Sequence, residues 1–321
     1  MHINRGLLFW GVALITAGVV ALAASQNWFD TSILADAWRL WPLVLIVIGL
    51  SIVLARTPFA WLGGLAAGLI VGLAGGALIA GVPVVGNCSG TTGTPEVSTG
   101  SFTGSQAQVD LELNCGTLNL SMADGSGWRA ETAVKNGEDQ PTRSGGPSSL
   151  EIRSADRVFP FDQKQQRWTI QLGRDVTYDF SATLNAGDSR IDGSDGSFGG
   201  LNLQTNAGSV DVLLGGAEVS DLGLQLNAGS ANIVADAESD LAGSLQANAG
   251  SINLCVPDDA GLQITVKSSV AFSHNLAQRG LDEQGDDVWV SAGFLSAAHK
   301  IVLAVEGNAA SFNLNPEEGC A

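Results

Sequence analysis

The C-terminal part of the chain alternates apolar and polar residues, and the alternation recurs at a fixed interval. After Gly208, for example, the apolar Val210 and Val212 flank the polar Asp211. Alternation at a step of two predicts a strand with one buried face. The triplet Asn-Ala-Gly recurs every 21 residues, and its copies begin at Asn185, Asn206, Asn227 and Asn248.

An Asn-x-Gly sequence between two such strands predicts a corner, because glycine tolerates positive φ. Each unit is therefore strand, corner, strand, and the fixed period predicts that successive units stack in register. We predict an all-β parallel solenoid of about 21 residues per coil, which follows a membrane α-helical N-terminal region. The same strand-corner-strand pattern occurs around Asn114 and Asn308. At about 21 residues per coil, the distance between these two corners predicts on the order of nine coils, with irregular ones at 128–180 and 262–302.

The corner asparagines have a structural interpretation. In a stacked array each side-chain amide can donate to the amide oxygen of its neighbour, and the resulting ladder fixes the register. A ligand-binding role for this column is the alternative. The predicted ladder and its glycines comprise Asn114, Asn185, Asn206, Asn227, Asn248, Asn308, Gly187, Gly208, Gly229 and Gly250.

The first 85 residues contain three apolar stretches, at 6–24, 40–55 and 59–85. Each is about as long as a helix that spans a hydrocarbon core of roughly 30 Å. We therefore predict a three-helix transmembrane region at 1–85 that contacts membrane lipid. A Gly-, Ser- and Thr-rich linker is predicted at 86–106, and the β-solenoid at 107–321.

Orientation follows from the few positive charges, since Lys and Arg in short loops stay on the cytoplasmic side. Arg5 and Arg56 can both lie on the cytoplasmic side of the membrane, which predicts a cytoplasmic N-terminus and an extracytoplasmic C-terminal domain. The alternative is that residues 1–23 form a cleaved signal peptide, because Ala21-Leu22-Ala23 resembles a cleavage site. Either alternative leaves the C-terminal domain outside.

Glycines recur at every fourth position of the third predicted span. A stripe of this kind lets another helix approach closely. We expect it to close the internal helical bundle, and a homo-oligomer or a contact with another protein is the alternative. The stripe consists of Gly64, Gly68, Gly72 and Gly76.

Charge and composition exclude several classes of function. Three of the 15 Lys and Arg and two of the 32 Asp and Glu precede residue 86, so the remainder carries 12 positive and 30 negative side chains. Such an acidic domain repels nucleic acid. No phosphate-binding loop, zinc framework or nucleophile motif is present, and we expect no catalytic residue, metal or cofactor.

Acidic residues are the one catalytic possibility, because solenoids can bring carboxylates together on adjacent coils. Arg190 and Asp211 occupy the same position on neighbouring coils and are expected to form an exposed cross-strand pair instead. The densest acidic candidates are Asp188, Asp192, Asp195 and Asp211.

All four cysteines follow the predicted membrane region, on the side where disulfides persist. Three pairings are possible. Aligning Asn308 with Asn248 brings the C-terminal tail next to Cys255. This alignment favours one disulfide at each open end of the solenoid. The preferred pairs are Cys255 with Cys320 and Cys88 with Cys115.

Two segments resemble a known family. Residues 5–8 and 41–50, with their Trp-Pro-Leu sequence before an apolar stretch, resemble the transmembrane region of LiaF-like proteins. The region from Trp168 through the Asn-Ala-Gly units is similar to the toast-rack or adhesin-like domain found with it. The resemblance implies a role in the cell-envelope stress response beside a membrane sensor kinase or another envelope protein, and it brings no catalytic residues.

Three hypotheses follow. The first is a non-enzymatic membrane protein whose extracytoplasmic solenoid senses or modulates envelope stress. The second is a surface adhesin or polysaccharide-binding module, for which an exposed aromatic stripe would be expected. The third is a solenoid glycosidase or lyase, for which carboxylates clustered in a groove would be expected.

Overall fold

The structure is a computed structural model, and it describes residues 11–12, 14–16, 93–135, 139–155, 165–269, 271–317 and 320. Residues 11–12 and 14–16 are helical, and the rest of the three predicted spans lies outside the described residues. Within the described part, no helix has the length and hydropathy needed to cross a membrane. The chain divides into two compact units, of which the second comprises Cys88–Val158 and Gln163–Ala321.

The described part of the second unit is a curled β-sheet of parallel and antiparallel strands. A short 3-10 turn lies at Ala277–Arg279. The strands are β1 (Glu96–Ser101), β2 (Gln106–Leu113), β3 (Gly116–Ala123), β4 (Gly127–Ala133), β5 (Thr142–Gly146), β6 (Ser149–Arg153), β7 (Gln166–Gly173), β8 (Thr177–Leu184), β9 (Gly187–Asp192), β10 (Ser197–Thr205), β11 (Gly208–Leu213), β12 (Glu218–Val234), β13 (Asp240–Cys255), β14 (Gly261–Ser268), β15 (Ser273–His274), β16 (Asp282–Glu283), β17 (Val288–Val290) and β18 (Lys300–Leu314).

Two parallel ladders of strands meet at the asparagine corners. Before the corner the order is β6, β2, β8, β10, β12, β13, β18 and β14. After the corner it is β7, β3, β9, β11, β12, β13, β18 and β15. Strands β12, β13 and β18 run through the corner and belong to both ladders, so the corner is a bend within one sheet.

The order of the units in space differs from their order in the sequence, and the prediction of about nine coils stacked along the chain is wrong in this respect. Strand β2 pairs directly with β8, although 63 residues lie between Leu113 and Thr177 in the sequence. The solenoid prediction places additional coils in that interval. Strand β18 likewise lies between β13 and β14. The reason is that parallel pairing requires matching apolar faces, and it does not require neighbouring units in the sequence.

The core lies on the face of the curled sheet to which the alternating apolar residues point. Tyr178 packs edge to face with Phe102 at a centroid distance of 5.9 Å, and its hydroxyl donates to the Gly173 carbonyl oxygen at 2.7 Å. Burial raises the pKa of Tyr178 to about 12. The largest fully buried side chains are Trp168, Tyr178, Phe180, Phe198 and Phe312.

Antiparallel strands cover both ends of the parallel ladders. Strand β4 pairs with β7 and with the edge strand β1, and β17 pairs with β14. Strand β1 lies inside the segment predicted to be a linker at 86–106. The prediction missed it because five of its six residues are exposed, so the strand has no apolar periodicity.

Candidate functional site

The corner asparagines form a continuous hydrogen-bonded ladder through six layers. In each step the Nδ2 of one asparagine donates to the Oδ1 of the asparagine in the adjacent layer. The donor and acceptor atoms lie 2.6 to 2.8 Å apart at every step. In order, the ladder contains Asn308, Asn248, Asn227, Asn206, Asn185 and Asn114.

A second ladder runs parallel to the first, five residues after each corner. Asn313 donates to Asn253 at 2.9 Å, Asn253 to Asn232 at 2.7 Å, and Asn232 to Asp211 at 2.8 Å. A carboxylate only accepts hydrogen bonds, so Asp211 can stand only at the acceptor end of such a series. Sequence analysis identified Asp211 as polar and missed the ladder, although the 21-residue spacing of Asp211, Asn232 and Asn253 was the available signal.

The corner glycines have the positive φ that the sequence predicts, at 127° for Gly187, 137° for Gly208, 133° for Gly229 and 125° for Gly250. A Cβ atom at any of the last three would overlap the carbonyl oxygen of the glycine in the preceding layer. The column therefore requires glycine both for its backbone conformation and for the close approach of neighbouring strands.

A disulfide joins Cys255, at the end of β13, to Cys320, with Cα atoms 5.5 Å apart. This is the pairing that the alignment of Asn308 with Asn248 favoured. Cys115 is also disulfide-bonded. Cys88 lies outside the described residues, as does the glycine stripe from Gly64 to Gly76, so the packing role of that stripe stays a prediction.

The acidic candidates are placed in ladders and turns. Asp188 accepts a hydrogen bond from the Ser209 hydroxyl at 2.6 Å, and Asp192 accepts one from the Ser194 backbone N–H at 3.3 Å. Asp211 and Arg190 are register partners, as expected, but the hydrogen-bond donor to Asp211 is Asn232. Asp195 lies in a turn with φ of 56°.

One turn holds a carboxylate by several donors at once. Asp236 accepts hydrogen bonds from the backbone N–H groups of Gly216 and Glu238 and from the Ser239 hydroxyl. Partial burial raises the pKa of Asp236, but these hydrogen bonds outweigh burial and leave the pKa below its ordinary value. Among the described residues, no three His, Cys, Asp or Glu side chains converge as a set of metal ligands.

A histidine and a carboxylate meet where β13 and β18 begin. His299 Nδ1 lies 2.7 Å from Asp240 Oδ2, and the Lys300 backbone N–H donates to Asp240 Oδ1 at 2.8 Å. The hydrogen bond with Asp240 raises the pKa of His299, and the charges of Asp240, Glu238 and Glu218 add to the effect. Partial burial raises the pKa of Asp240, but the contacts with His299 and Lys300 outweigh it and lower that pKa.

The outer surface of β8, β10, β12 and β13 carries a polar groove of about 290 Å³, which we call the amide groove. Gly223 has no side chain and lies between its register partners Asn202 and Ser244, and the Asn202 side chain leans over it. A methyl group on Gly223 would overlap the Asn202 side-chain oxygen. The polar side chains that line the groove are Ser181, Thr183, Asn202, Gln204, Gln225, Ser244 and Gln246.

Sequence analysis did not identify the amide groove. Three of its glutamines, Gln204, Gln225 and Gln246, recur at the same 21-residue interval as the corner asparagines. That interval was the signal that could have found them. The position of Gly223 between Asn202 and Ser244 shows only when the neighbouring strands are in place.

Family comparisons connect this architecture to known proteins. The chain matches the LiaI-LiaF-like transmembrane region at residues 8–53. A second model, Toast_rack_N, matches residues 92–255, which is more than half of the 321 residues. Comparison with curated protein sequences gives no match.

Two solved structures are similar to part of this chain. A "putative cell adhesion protein" from Clostridium sporogenes ATCC 15579 is 18% identical with a TM-score of 0.45, and the alignment covers 68% of this chain and 98% of that one. A "putative adhesin" from Bacteroides fragilis NCTC 9343 is 12% identical with a TM-score of 0.28, and the alignment covers 68% and 97%.

The family matches confirm the resemblance drawn from the sequence. They fit a membrane protein with an extracellular β domain. The Toast_rack_N match includes the amide groove and the ladder residues from Asn114 to Asn253, whereas Asn308 and Asn313 follow it in the chain. The chain belongs to the Toast_rack_N family, described as the N-terminal domain of toast_rack, DUF2154.

Proposed function

We propose that this chain is a non-enzymatic, multi-pass membrane protein that senses or modulates cell-envelope stress signalling. The observation that carries the proposal is the occurrence in one chain of a LiaI-LiaF-like transmembrane region and a Toast_rack_N domain. The proposal includes three spans, a cytoplasmic N-terminus and an extracytoplasmic C-terminus, because Arg5 and Arg56 are best kept inside.

The geometry of the outer domain supports a scaffold rather than a reaction site. The amides of both ladders are engaged with one another, and three of the four acidic candidates, Asp188, Asp192 and Asp211, accept hydrogen bonds within the sheet and its turns. A rigid sheet of this kind can transmit contact at its outer surface to the membrane region. The partner that we propose is a membrane sensor kinase or another envelope protein.

The test is an envelope-stress reporter measured together with cross-linking in intact membranes. Deleting the chain should change the reporter response to a wall-active agent, and restoring the full chain should reverse the change. A cross-linked envelope protein should be captured only with the full chain. An unchanged reporter in the deletion strain, with no cross-linked protein, would reject the signalling role.

The orientation is tested separately by a reporter enzyme that is active only outside the cytoplasm. Fused after Ala321, this enzyme should be active, and changing Arg56 to Glu should weaken the orientation bias. Activity of a cytoplasm-specific reporter at the same fusion point would contradict the proposed topology.

The glycine stripe is the proposed helix-packing face. Replacing its glycines with a larger apolar residue tests this role without changing the charge. Gly68→Leu with Gly72→Leu should lower the abundance of the chain if the stripe closes the internal bundle. Loss of cross-links at normal abundance would instead assign the stripe to a partner or a second copy. Ala66→Leu with Ala74→Leu adds bulk to the same predicted helix away from the stripe and is the matched control.

A further inference from the structure

We propose that the amide groove binds a short segment of neutral, hydroxyl-rich polysaccharide. This would be a binding activity beside the signalling role, and it does not depend on that role. The groove has no aromatic side chain of the kind expected for stacking on sugar rings, so recognition would rest on hydrogen bonds. The proposal stands on three properties of the groove: unused hydrogen-bonding groups, absence of charge, and a backbone that is already paired.

Three of the four groove amides differ from the ladder amides in having no protein partner, and the fourth, Gln204, donates to the Asn206 side-chain oxygen at 3.4 Å. Within the described residues, the side chains of Asn202, Gln225 and Gln246 make no hydrogen bond, whereas each ladder asparagine is bonded to its neighbour. An amide offers both a donor and an acceptor, and a sugar hydroxyl does the same. A row of free amides and hydroxyls therefore complements a chain of sugar hydroxyls.

The groove is free of charge in a strongly acidic domain. None of its lining side chains is charged. In the two flanking layers, Glu112 pairs in register with Thr183, and Glu306 pairs with Gln246, so carboxylates stand at both ends. Both carboxylates have cationic neighbours, since Glu112 is ion-paired with Arg153 at 3.4 Å and Glu306 pairs in register with Lys267. The groove between them offers no charge of either sign to a charged ligand, which leaves a neutral ligand.

The backbone of the groove excludes a peptide that binds by adding a strand. Strand β8 is paired with β2 and β10, and β13 is paired with β12 and β18. No strand edge is open, so only side chains can contact a ligand. Four strands spaced about 4.8 Å apart give a site roughly 14 Å long, enough for a short oligosaccharide lying across the strands.

The experiment uses the full chain in lipid nanodiscs, because glycoside detergents would compete for the groove. Binding of cellotetraose and chitotetraose, which are neutral, is compared with binding of anionic tetragalacturonate by saturation-transfer NMR and calorimetry. At least one neutral oligosaccharide should bind, and tetragalacturonate should bind about tenfold more weakly or not at all.

Two variants test whether binding occurs in the groove. Gly223→Gln places a side chain in the groove, and Gln225→Leu with Gln246→Leu removes two amides while keeping the strand. Each should weaken binding by about tenfold or more without a large change in the thermal midpoint. Ala228→Gln adds the same amide at the exposed corner of the same strand, and it should bind like the wild type.

Three results would overturn the proposal. One is the absence of binding by both neutral oligosaccharides. Another is equal binding by the wild type and by correctly folded groove variants. The third is a preference for the anionic probe or for an extended neutral peptide. Loss of stress signalling without any of these would count against the proposed function alone.

Discussion

Asn227 occupies the middle of the corner ladder, and its position shows what one residue contributes. It donates to Asn206 and accepts from Asn248, each at 2.6 Å. Its removal leaves the Asn248 donor without a partner and leaves the Asn206 oxygen with only the longer hydrogen bond from Gln204, at 3.4 Å. An unsatisfied polar group costs more than the net value of the hydrogen bond that it lost, because water is not freely available in its place. Removing an interior asparagine of the ladder should therefore destabilise the domain more than removing one at either end.

Asn227→Ala should lower the free energy of unfolding by about 1 to 3 kcal/mol. Asn308→Ala, at the donor end of the ladder, removes a single hydrogen bond to Asn248 and should cost less. Urea unfolding of both variants measures the difference. An equal or larger effect at Asn308 would mean that the ladder does not act as a series of linked amides.

The contact between His299 and Asp240 makes stability depend on pH. The folded-state pKa of His299 is raised, so its contribution is fully present below its unfolded pKa and is lost as pH rises through the folded value. The pKa of Asp240 is lowered, so its contribution is present above its unfolded pKa and is lost as pH falls through the folded value. The ion pair is therefore present between these two folded-state values.

NMR titration of the His299 ring should give a pKa above that of an ordinary histidine, because the hydrogen bond with Asp240 favours the charged ring. Asp240→Asn should bring the pKa of His299 down. The stability difference between the wild type and His299→Gln should shrink as pH rises past the histidine pKa. A His299 pKa that is identical in the wild type and in Asp240→Asn would show that the contact is absent in solution.

At the scale of a strand, β12 shows how one element serves both ladders. It pairs with β10 before the corner and with β11 after it, and it bends at Gly229. Two glycines on this strand have different roles. Gly229 has φ of 133° and abuts the Gly208 backbone, whereas Gly223 faces only the flexible Asn202 side chain.

Gly229→Ala should destabilise the outer domain by about 1 to 3 kcal/mol or more, because a Cβ atom adds backbone strain and an overlap with a neighbouring strand. Gly223→Ala on the same strand is the matched control and should cost roughly 0.5 kcal/mol or less, since Asn202 can move. Thermal unfolding of the two variants measures the contrast. The reverse ranking would show that the corner glycine is not under constraint.

At the scale of the whole domain, the C-terminal strand is built into the sheet instead of forming its edge. Strand β18 pairs with β13 on one side and β14 on the other, and the disulfide from Cys255 to Cys320 holds the tail that follows it. The segment from β14 to β17 therefore covers one end of the ladders. Closing that segment brings together residues about 60 positions apart, which is entropically costly without a cross-link.

Cys255→Ala with Cys320→Ala should lower the free energy of unfolding by up to about 4 kcal/mol, the chain-entropy value for a closed loop of 65 residues. Urea unfolding under non-reducing conditions measures it. Hydrogen exchange should increase first at the end of β13 and in β18, because the disulfide joins Cys255 to the tail that follows β18. Unchanged stability with unchanged exchange would mean that β18 is held by sheet pairing alone.

The sequence by itself determined the features that depend on local periodicity. The step of two identified strands with a buried face, the 21-residue interval aligned Asn185, Asn206, Asn227 and Asn248, and the corner glycines indicated positive φ. These predictions succeed because each depends on a residue pattern that lies within one unit and recurs in the next unit. The edge strand β1 escaped the same reasoning because its exposed residues carry no apolar pattern.

Only the tertiary structure decided which units are neighbours. Asn114 meets Asn185 across 71 residues, and Asn308 meets Asn248 across 60, although the intervening segments could have supplied coils of their own. The amide groove likewise exists only because Gly223 lies between Asn202 and Ser244 on adjacent strands. Such pairings depend on the fit of whole apolar faces and on the entropy of closing long loops, and no local pattern in the chain encodes either one.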